Sequence, residues 1–436
     1  MNYQESLDYL HELCKFGINL GLNRINKLLN LLGNPHSQIK TIHVAGTNGK
    51  GSTIAILANI LQAAGLKVGV YTSPHLHSYT ERIRINGVDI SRQDFTKGME
   101  RLKLIVPEVL KKTGENPTEF EILTALAFNY FAWRKVDIAI IEVGMGGRLD
   151  STNVLTPEIS VLTSISTDHV DYLGSSLEDI TREKAGIIKP GIPVVCSLQD
   201  EVVERVILEK AKKLNSPVYL IKDFQYEQTS FGSMGQRFNL ITNTQKYADL
   251  NLSLLGDHQI ENAITAITCT ELLQSLGWLI TEKHIYQGLA TVKWPGRLEY
   301  LKLKSQVLLD GAHNPEGAQV LARAIPKFLD YDKLIMVLGV LEDKDKKEII
   351  NFLGPLGDVF IITKPPNSRA GDWQNLIELL KKYNKEVYIE ADYRQAINLA
   401  FKLGQKNDLV CITGSLYLLG ESREYVLNTF SFTYNK

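Results

Sequence analysis

Between Thr41 and Ala64 a short apolar run, a glycine-rich turn and a stretch of helical length follow one another without a break. The turn reads Ala45-Gly46-Thr47-Asn48-Gly49-Lys50-Gly51-Ser52-Thr53. A strand that must reverse at once into a helix commits the chain to a βα unit. Glycines there let backbone N–H groups fold around an anion, while the helix N-terminus adds positive potential. Lys50 is spaced to reach β- and γ-phosphates, and a hydroxyl of the loop can face a metal ion. The usual GxxxxGK[ST] pattern is broken twice, since Val44 takes the first glycine position and Gly51 separates Lys50 from Ser52. The alternation then recurs. Lys67–Tyr71, Asp137–Val143, Ile159–Ile165 and Pro193–Ser197 are strand-length apolar runs separated by helix-period segments, which predicts an α/β chain with a mostly parallel sheet.

Residues 3–32 read as amphipathic helices broken near Gly17 and Gly21 and stopped by Gly33-Asn34-Pro35. The polar stretch Gln225–Thr244 reads as a surface hairpin or loop, and Gln259–Gly277 as one helix. Trp294-Pro295-Gly296-Arg297 is a turn signal, after which strands restart at Val307–Asp310, Leu334–Gly339, Val359–Thr363 and Leu409–Thr413. At 436 residues the chain exceeds one comfortable core, so two domains are expected, 1–294 and 295–436.

Composition narrows the function classes. A net charge of -1 gives no overall field for nucleic acid or an anionic membrane, and no run of about 18 apolar residues suggests a span. Cys14, Cys196, Cys269 and Cys411 have no metal-ligand spacing and sit among apolar residues like small core side chains, as in a reducing cytoplasm. The N-terminus carries no targeting pattern.

Other candidates follow from position. Asp137–Glu142 is a buried strand that ends in a carboxylate and then glycines, the place where ligands bind in parallel α/β sheets. Glu142 is therefore a metal candidate, against the reading of a strand-end carboxylate that caps the next helix. His169 follows another strand, where a lone histidine is commonly a satisfied polar residue. Lys184 in Arg-Glu-Lys-Ala-Gly reads alone as a solvated helix lysine, and Thr413-Gly414-Ser415 as a strand-to-helix turn.

Taken together, GTNGKGS, TSPHL at 72–76, TEFE at 118–121, EVGMGGRLDSTN at 142–153, DHVDYLG at 168–174, EKAGIIK at 183–189, GDHQIENA at 256–263, WPGRLE at 294–299, DGAHNP at 310–315 and TGSLYLLGE at 413–421 resemble the folylpolyglutamate synthase and dihydrofolate synthase family, relatives of the Mur peptidoglycan ligases. The resemblance implies a P-loop ATPase domain of Mur-ligase type followed by a smaller Rossmann-like glutamate-binding domain. It implies ligation of L-glutamate to a folate carboxylate, or to dihydropteroate, through an acyl phosphate. Gly46, Thr47, Asn48, Gly49, Lys50, Gly51, Ser52, Asn262, Arg297, Asp310 and His313 would bind ATP. Ser73, Glu142 and His169 would hold Mg2+, with a second ion oriented by Lys184 as a carbamate; Lys50, Glu142, His169 and Lys184 would be catalytic. Asn19, Leu20, Phe120, Leu149, Asp150 and Ser151 would contact the pteroate moiety, and Ser415 with His313 the glutamate. A cytoplasmic monomer working on small molecules, with no nucleic-acid or membrane partner, is expected. Two rivals stand beside this reading. A peptidoglycan-precursor ligase would carry a UDP-binding domain of about 100 residues ahead of the loop, where only 45 residues precede Gly46. A non-catalytic nucleotide-binding protein would lack the metal and second-domain residues.

Overall fold

The computed structural model describes residues 1–14, 17, 19–168 and 170–430. Two compact units emerge: Met1–Glu227 with Asn239–Leu250 and Ile260–Val292, and Gln228–Phe238 with Asn251–Gln259 and the chain from Lys293 onward.

The first unit holds strands β1 (Thr41–Ala45), β2 (Val68–Tyr71), β3 (Ile83–Ile85), β4 (Val88–Asp89), β5 (Ile138–Glu142), β6 (Ile159–Leu162), β7 (Val194–Cys196) and β8 (Val218–Leu220). They form one sheet in the order β4-β3-β2-β5-β1-β6-β7-β8. All neighbours are parallel except β2–β3 and β3–β4 at one edge. Every residue of β1, β5 and β6 is buried, as expected of parallel strands covered on both faces. One covering layer comprises helices Tyr3–Cys14, Asn23–Leu31, Arg92–Thr113 and Glu119–Arg134, whose Leu10, Leu28, Phe95 and Phe128 share a core. A second core gathers Ile180, Ile187, Val203 and Ile207 against Leu162 and Val194. Strand order reverses around β1, which lies between β5 and β6, and ligand crevices open at the carboxyl end of such a strand.

The expected hairpin is present as β9 (Gln225–Gly232) and β10 (Gly235–Ile241), with a third strand β11 (Lys246–Leu252) that the sequence did not suggest. The second unit carries β12 (Glu299–Lys302), β13 (Gln306–Leu309), β14 (Leu334–Leu338), β15 (Val359–Ile362), β16 (Glu386–Ile389) and β17 (Leu409–Thr413). Their order is β12-β13-β17-β14-β15-β16, parallel except for the β12–β13 edge pair. Leu308, Met336, Leu338, Phe360 and Cys411 form its core with Leu321 and Phe328 of helix Pro315–Phe328.

One expectation is corrected. Cys196, Cys269 and Cys411 are buried, but Cys14 is exposed at the end of its helix, and its thiol donates to Glu119 Oε2 at 2.7 Å. The local apolar pattern placed it in the core; the carboxylate offered by a distant helix turns it outward.

Candidate active site

The loop after β1 lies against the segment after β6. Thr47 N and Asn48 N donate to Ser164 O at 2.7 and 3.2 Å, and the Thr47 hydroxyl donates to Ser166 O at 3.0 Å. Gly46 adopts φ +154°, and a Cβ there would lie 1.9 Å from Thr163 Oγ1, so only glycine lets these two turns close on each other. Gly49, at φ +86°, hands the chain to helix Lys50–Ala63 and leaves room for Asn262, whose Oδ1 would meet a Cβ at 2.5 Å. Asn262 Oδ1 also accepts from the Thr53 hydroxyl at 3.3 Å. A residue more than 200 positions downstream therefore belongs to the loop. Gly51 and Ser52 open the helix, with Ser52 buried.

Two lysines meet here. Lys50 Nζ donates to Gly46 O and Thr47 O, both at 3.0 Å, and Lys184 Nζ donates to the same Gly46 O at 2.9 Å. Lys184 is 4% exposed, not solvated as its local sequence implies. Burial, then repulsion from Lys50, lowers its ammonium to about 7, while Asp168 and Asp150 pull the other way. The Lys50 ammonium gives the loop a positive charge that favours an anion.

Glu142 ends β5, 5% exposed, and its Oε2 accepts Ser73 N–H at 2.9 Å. Tyr71 pairs with Ile141 and Val44 with Glu142, so Ser73, Glu142 and Gly46 issue from the carboxyl ends of three adjacent strands. His169 lies outside the described residues. Among those described, no three His, Cys, Asp or Glu side chains gather into a metal-holding group. The Ser73 hydroxyl and Glu142 carboxylate are hard oxygen donors at the crevice, a set compatible with Mg2+ whose other positions belong to phosphate oxygens and water.

Phe120 stacks on Tyr71 with centroids 6.0 Å apart and sits against Gly144, where a Cβ would be 2.4 Å from its ring. Gly144 opens the segment that runs on to Ser151. Leu149 is half-buried and Ser151 buried. Asp150 is buried with its carboxylate committed to the chain: Oδ2 accepts Met145 N at 2.9 Å, and Oδ1 accepts Thr152 N at 2.9 Å and the Thr152 hydroxyl at 2.5 Å. Burial raises its pKa above the ordinary carboxylate value.

Sequence reasoning missed Arg24. Its guanidinium is buried, donates to Glu121 Oε2 at 3.0 Å and reaches Glu115 and the carbonyl of Asn19. It joins the Asn19–Leu20 segment to the helix bearing Phe120. The signal was present in Gly-Leu-Asn-Arg-Ile, but a lone arginine among apolar residues reads as surface. Arg82 was also missed: its Nε donates to His75 Nδ1 at 2.8 Å and its guanidinium lies over Tyr79.

In the second unit, Asp310 follows β13 and accepts Leu298 N at 2.8 Å and Ala312 N at 2.9 Å. Burial raises its carboxyl and Arg297 opposes the rise. Arg297 also lies against Gly311, where a Cβ would be 2.9 Å from Nη1. His313 Nδ1 is 2.8 Å from Gly311 O. Gly414, just before Ser415, donates to Ala312 O at 3.0 Å, and Ser415 Oγ accepts Tyr417 N at 3.2 Å. Arg297, Asp310, His313 and Ser415 are thus neighbours at the carboxyl end of adjacent strands β13 and β17.

Comparison with known proteins shows the family. The Mur ligase middle domain matches residues 44–270, and the Mur ligase glutamate ligase domain matches 296–416. A dihydrofolate synthase/folylpolyglutamate synthase of Bacillus subtilis is 37% identical over 428 residues, covering 97% of this chain and 98% of that one. The structure of folylpolyglutamate synthase from Thermotoga maritima superposes with a TM-score of 0.87 at 38% identity, covering 98% of this chain and 97% of that one. Mycobacterium tuberculosis folylpolyglutamate synthase, complexed with ADP and AMPPCP, gives 0.89 at 33% identity, covering 97% and 98%. This chain belongs to the folylpolyglutamate synthase and dihydrofolate synthase family of the Mur ligases.

Proposed function

We propose that this chain ligates L-glutamate to the carboxylate of a folate, and also of dihydropteroate, at the expense of ATP and through an acyl phosphate. The observation that carries the reading is the glycine-rich loop between β1 and its helix, where Lys50 Nζ lies on Gly46 O and Thr47 O and places a cation at a turn shaped for phosphate. The loop residues Gly46–Ser52 and Asn262 bind the phosphates, and Arg297, Asp310 and His313 serve ATP as well. Residues 1–294 serve the nucleotide and 295–436 the glutamate, with Ser415 and His313 facing it. Phe120, Leu149, Asp150, Ser151, Asn19 and Leu20 line the pteroate end, where an aromatic face suits a pterin.

Ser73, Glu142 and His169 would hold Mg2+, and Lys184 as a carbamate would orient a second ion; the metal would supply charge neutralisation on the transferring phosphoryl group. The near-neutral titration of Lys184 supports the carbamate, because only an uncharged amine adds CO2. Lys50 stabilises charge that develops on the phosphates and makes no covalent bond. The enzyme works as a monomer in the cytoplasm, in keeping with four free cysteines.

The test feeds purified protein ATP, Mg2+ and glutamate with dihydropteroate or tetrahydrofolate in separate reactions and weighs the products. One added glutamate residue per turnover on each acceptor, and none with Lys50→Ala, is expected. No glutamate-dependent ADP release on either acceptor, or wild-type turnover by Lys50→Ala, overturns the reading.

A further inference from the structure

A buried chain of hydrogen bonds leads from β1 to the glycine-rich segment after β5. His43, on the strand that feeds the phosphate loop, is fully buried, and its Nε2 is 2.9 Å from the Thr152 hydroxyl. Thr152 is equally buried and lies 2.5 Å from Asp150 Oδ1. A hydroxyl has one proton, and an ionised carboxylate can only accept. The Thr152 proton therefore points to Asp150, and the Thr152 oxygen accepts from His43. This fixes His43 as the neutral Nε2–H tautomer, whose buried Nδ1 has no hydrogen-bond partner among the described residues. Burial and the nearby Lys189 ammonium keep the ring uncharged.

Asp150 uses its other oxygen on Met145 N at 2.9 Å. The carboxylate thus ties both ends of the turn Met145–Thr152. That turn lies between two parts of the site: Gly144 is against Phe120, and Gly147 has no space for a Cβ because Glu183 O and Lys184 O would lie 2.8 Å from it. Arg148 N donates to Glu183 O at 2.8 Å, and Asn153 Nδ2 to Arg148 O at 3.0 Å. Rotation of the Asp150 carboxylate would release the turn under Phe120.

We propose that His43 is a positioning residue for acceptor binding, acting through Thr152 and Asp150 to hold the Gly144–Ser151 segment in register with Phe120. Asp150 then serves as the pin of this segment. The proposal rests on the reading above that this segment borders the pteroate end of the site. His43 itself contacts no substrate.

Thr152→Val keeps the shape and removes the hydroxyl; His43→Leu removes the donor. Loss of one buried hydrogen bond should raise KM for tetrahydrofolate or dihydropteroate about tenfold in each variant, with KM for ATP within about twofold of wild type. The double variant should be no more than about twofold worse than either single one, because both cut the same chain. Thr152→Ser and His43→Gln, which keep the hydroxyl and an N–H donor, should return KM to within about threefold. Amide hydrogen exchange of the 144–152 peptide in the ligand-free protein is the second readout, and it should quicken in His43→Leu and Thr152→Val only. Unchanged exchange, multiplying effects in the double variant, or His43→Gln as impaired as His43→Leu overturns the relay. Faster exchange with an unchanged acceptor KM overturns instead the placement of this segment beside the acceptor.

Discussion

Lys184 shows how a single side chain changes meaning with its surroundings. On its own helix, Leu177–Lys184, it is the last residue of an Arg-Glu-Lys run that any reader would place in water. In the fold it is 4% exposed and shares Gly46 O with Lys50. Desolvation disfavours its charged form and the neighbouring ammonium adds to the effect, so the amine titrates at about 7. The sign is simple: the neutral amine that reacts with CO2 predominates as pH rises through that value. At fixed dissolved 13C-labelled CO2, a carbamate resonance should grow between about pH 6 and 8, a window set by the lowered lysine. It should be missing in Lys184→Arg, whose guanidinium stays protonated. A wild-type chain silent at the upper end of that range would refute the modification. Glu142 and Phe120 were legible because strand-end position and motif point to them. Lys184's burial, Arg24 and the outward thiol of Cys14 were not, since each depends on a partner about 100 or more residues away: Gly46, Glu121 and Glu119.

At the scale of elements, the phosphate loop carries the sharpest expectation. Gly46 combines a φ of +154° with a virtual Cβ 1.9 Å from Thr163 Oγ1, 3.0 Å from its Cβ and 3.1 Å from its carbonyl carbon. Gly46→Ala must therefore push β1's turn away from β6's, and a shift of about 1 Å in a positioned site costs about a hundredfold in kcat/KM. Gly65→Ala separates strain from position: at φ +82° it too is strained, but nothing lies within 4 Å of the added carbon. That variant should lose about 1 kcal/mol of stability, a midpoint shift of about 2–4 °C, and keep its activity. Steady-state kinetics beside thermal melts decide the matter, and equal activity losses in the two variants would remove the steric argument. The strand–loop–helix unit was readable because its glycines are placed where the backbone demands them. The central strands were readable as continuous apolar runs. The short strands β3, β4, β12 and β16, at or next to the sheet edges, were not: they are two to four residues long and carry Arg84, Asp89, Glu299 and Glu386, so their pairing, not their composition, makes them strands.

For the molecule as a whole, two α/β units were foreseeable from length and from the restart of alternation after residue 295. The membership of Gln228–Phe238 and Asn251–Gln259 in the second unit was not, because it rests on contacts such as Lys327 with Gln228 and Asp257, which no local pattern encodes. Both units bury histidine. His43 and His75 in the first are lowered to about 3, and His258 in the second to about 4, by burial in each case, with Lys189, Arg82 and Arg297 respectively adding repulsion. His36 is lowered by burial as well. Such groups are neutral when folded and free to protonate when unfolded. The unfolded chain thus binds more protons below its ordinary imidazole value near 6.5, and stability falls with pH from there down to the folded values. Each fully depressed histidine contributes a slope of about 1.4 kcal/mol per pH unit within that window. Asp150 and Asp310, raised by burial, act in the opposite sense, taking up protons in the folded state where they titrate above the ordinary carboxylate value. With four histidines against two aspartates, the calorimetric midpoint should drop steadily from about pH 6.5 to about 5. His43→Gln, whose amide cannot be protonated there, should flatten the fall by about one histidine's slope. A midpoint independent of pH across this range would mean that the buried imidazoles take up protons without unfolding, and that the interior around them admits charge.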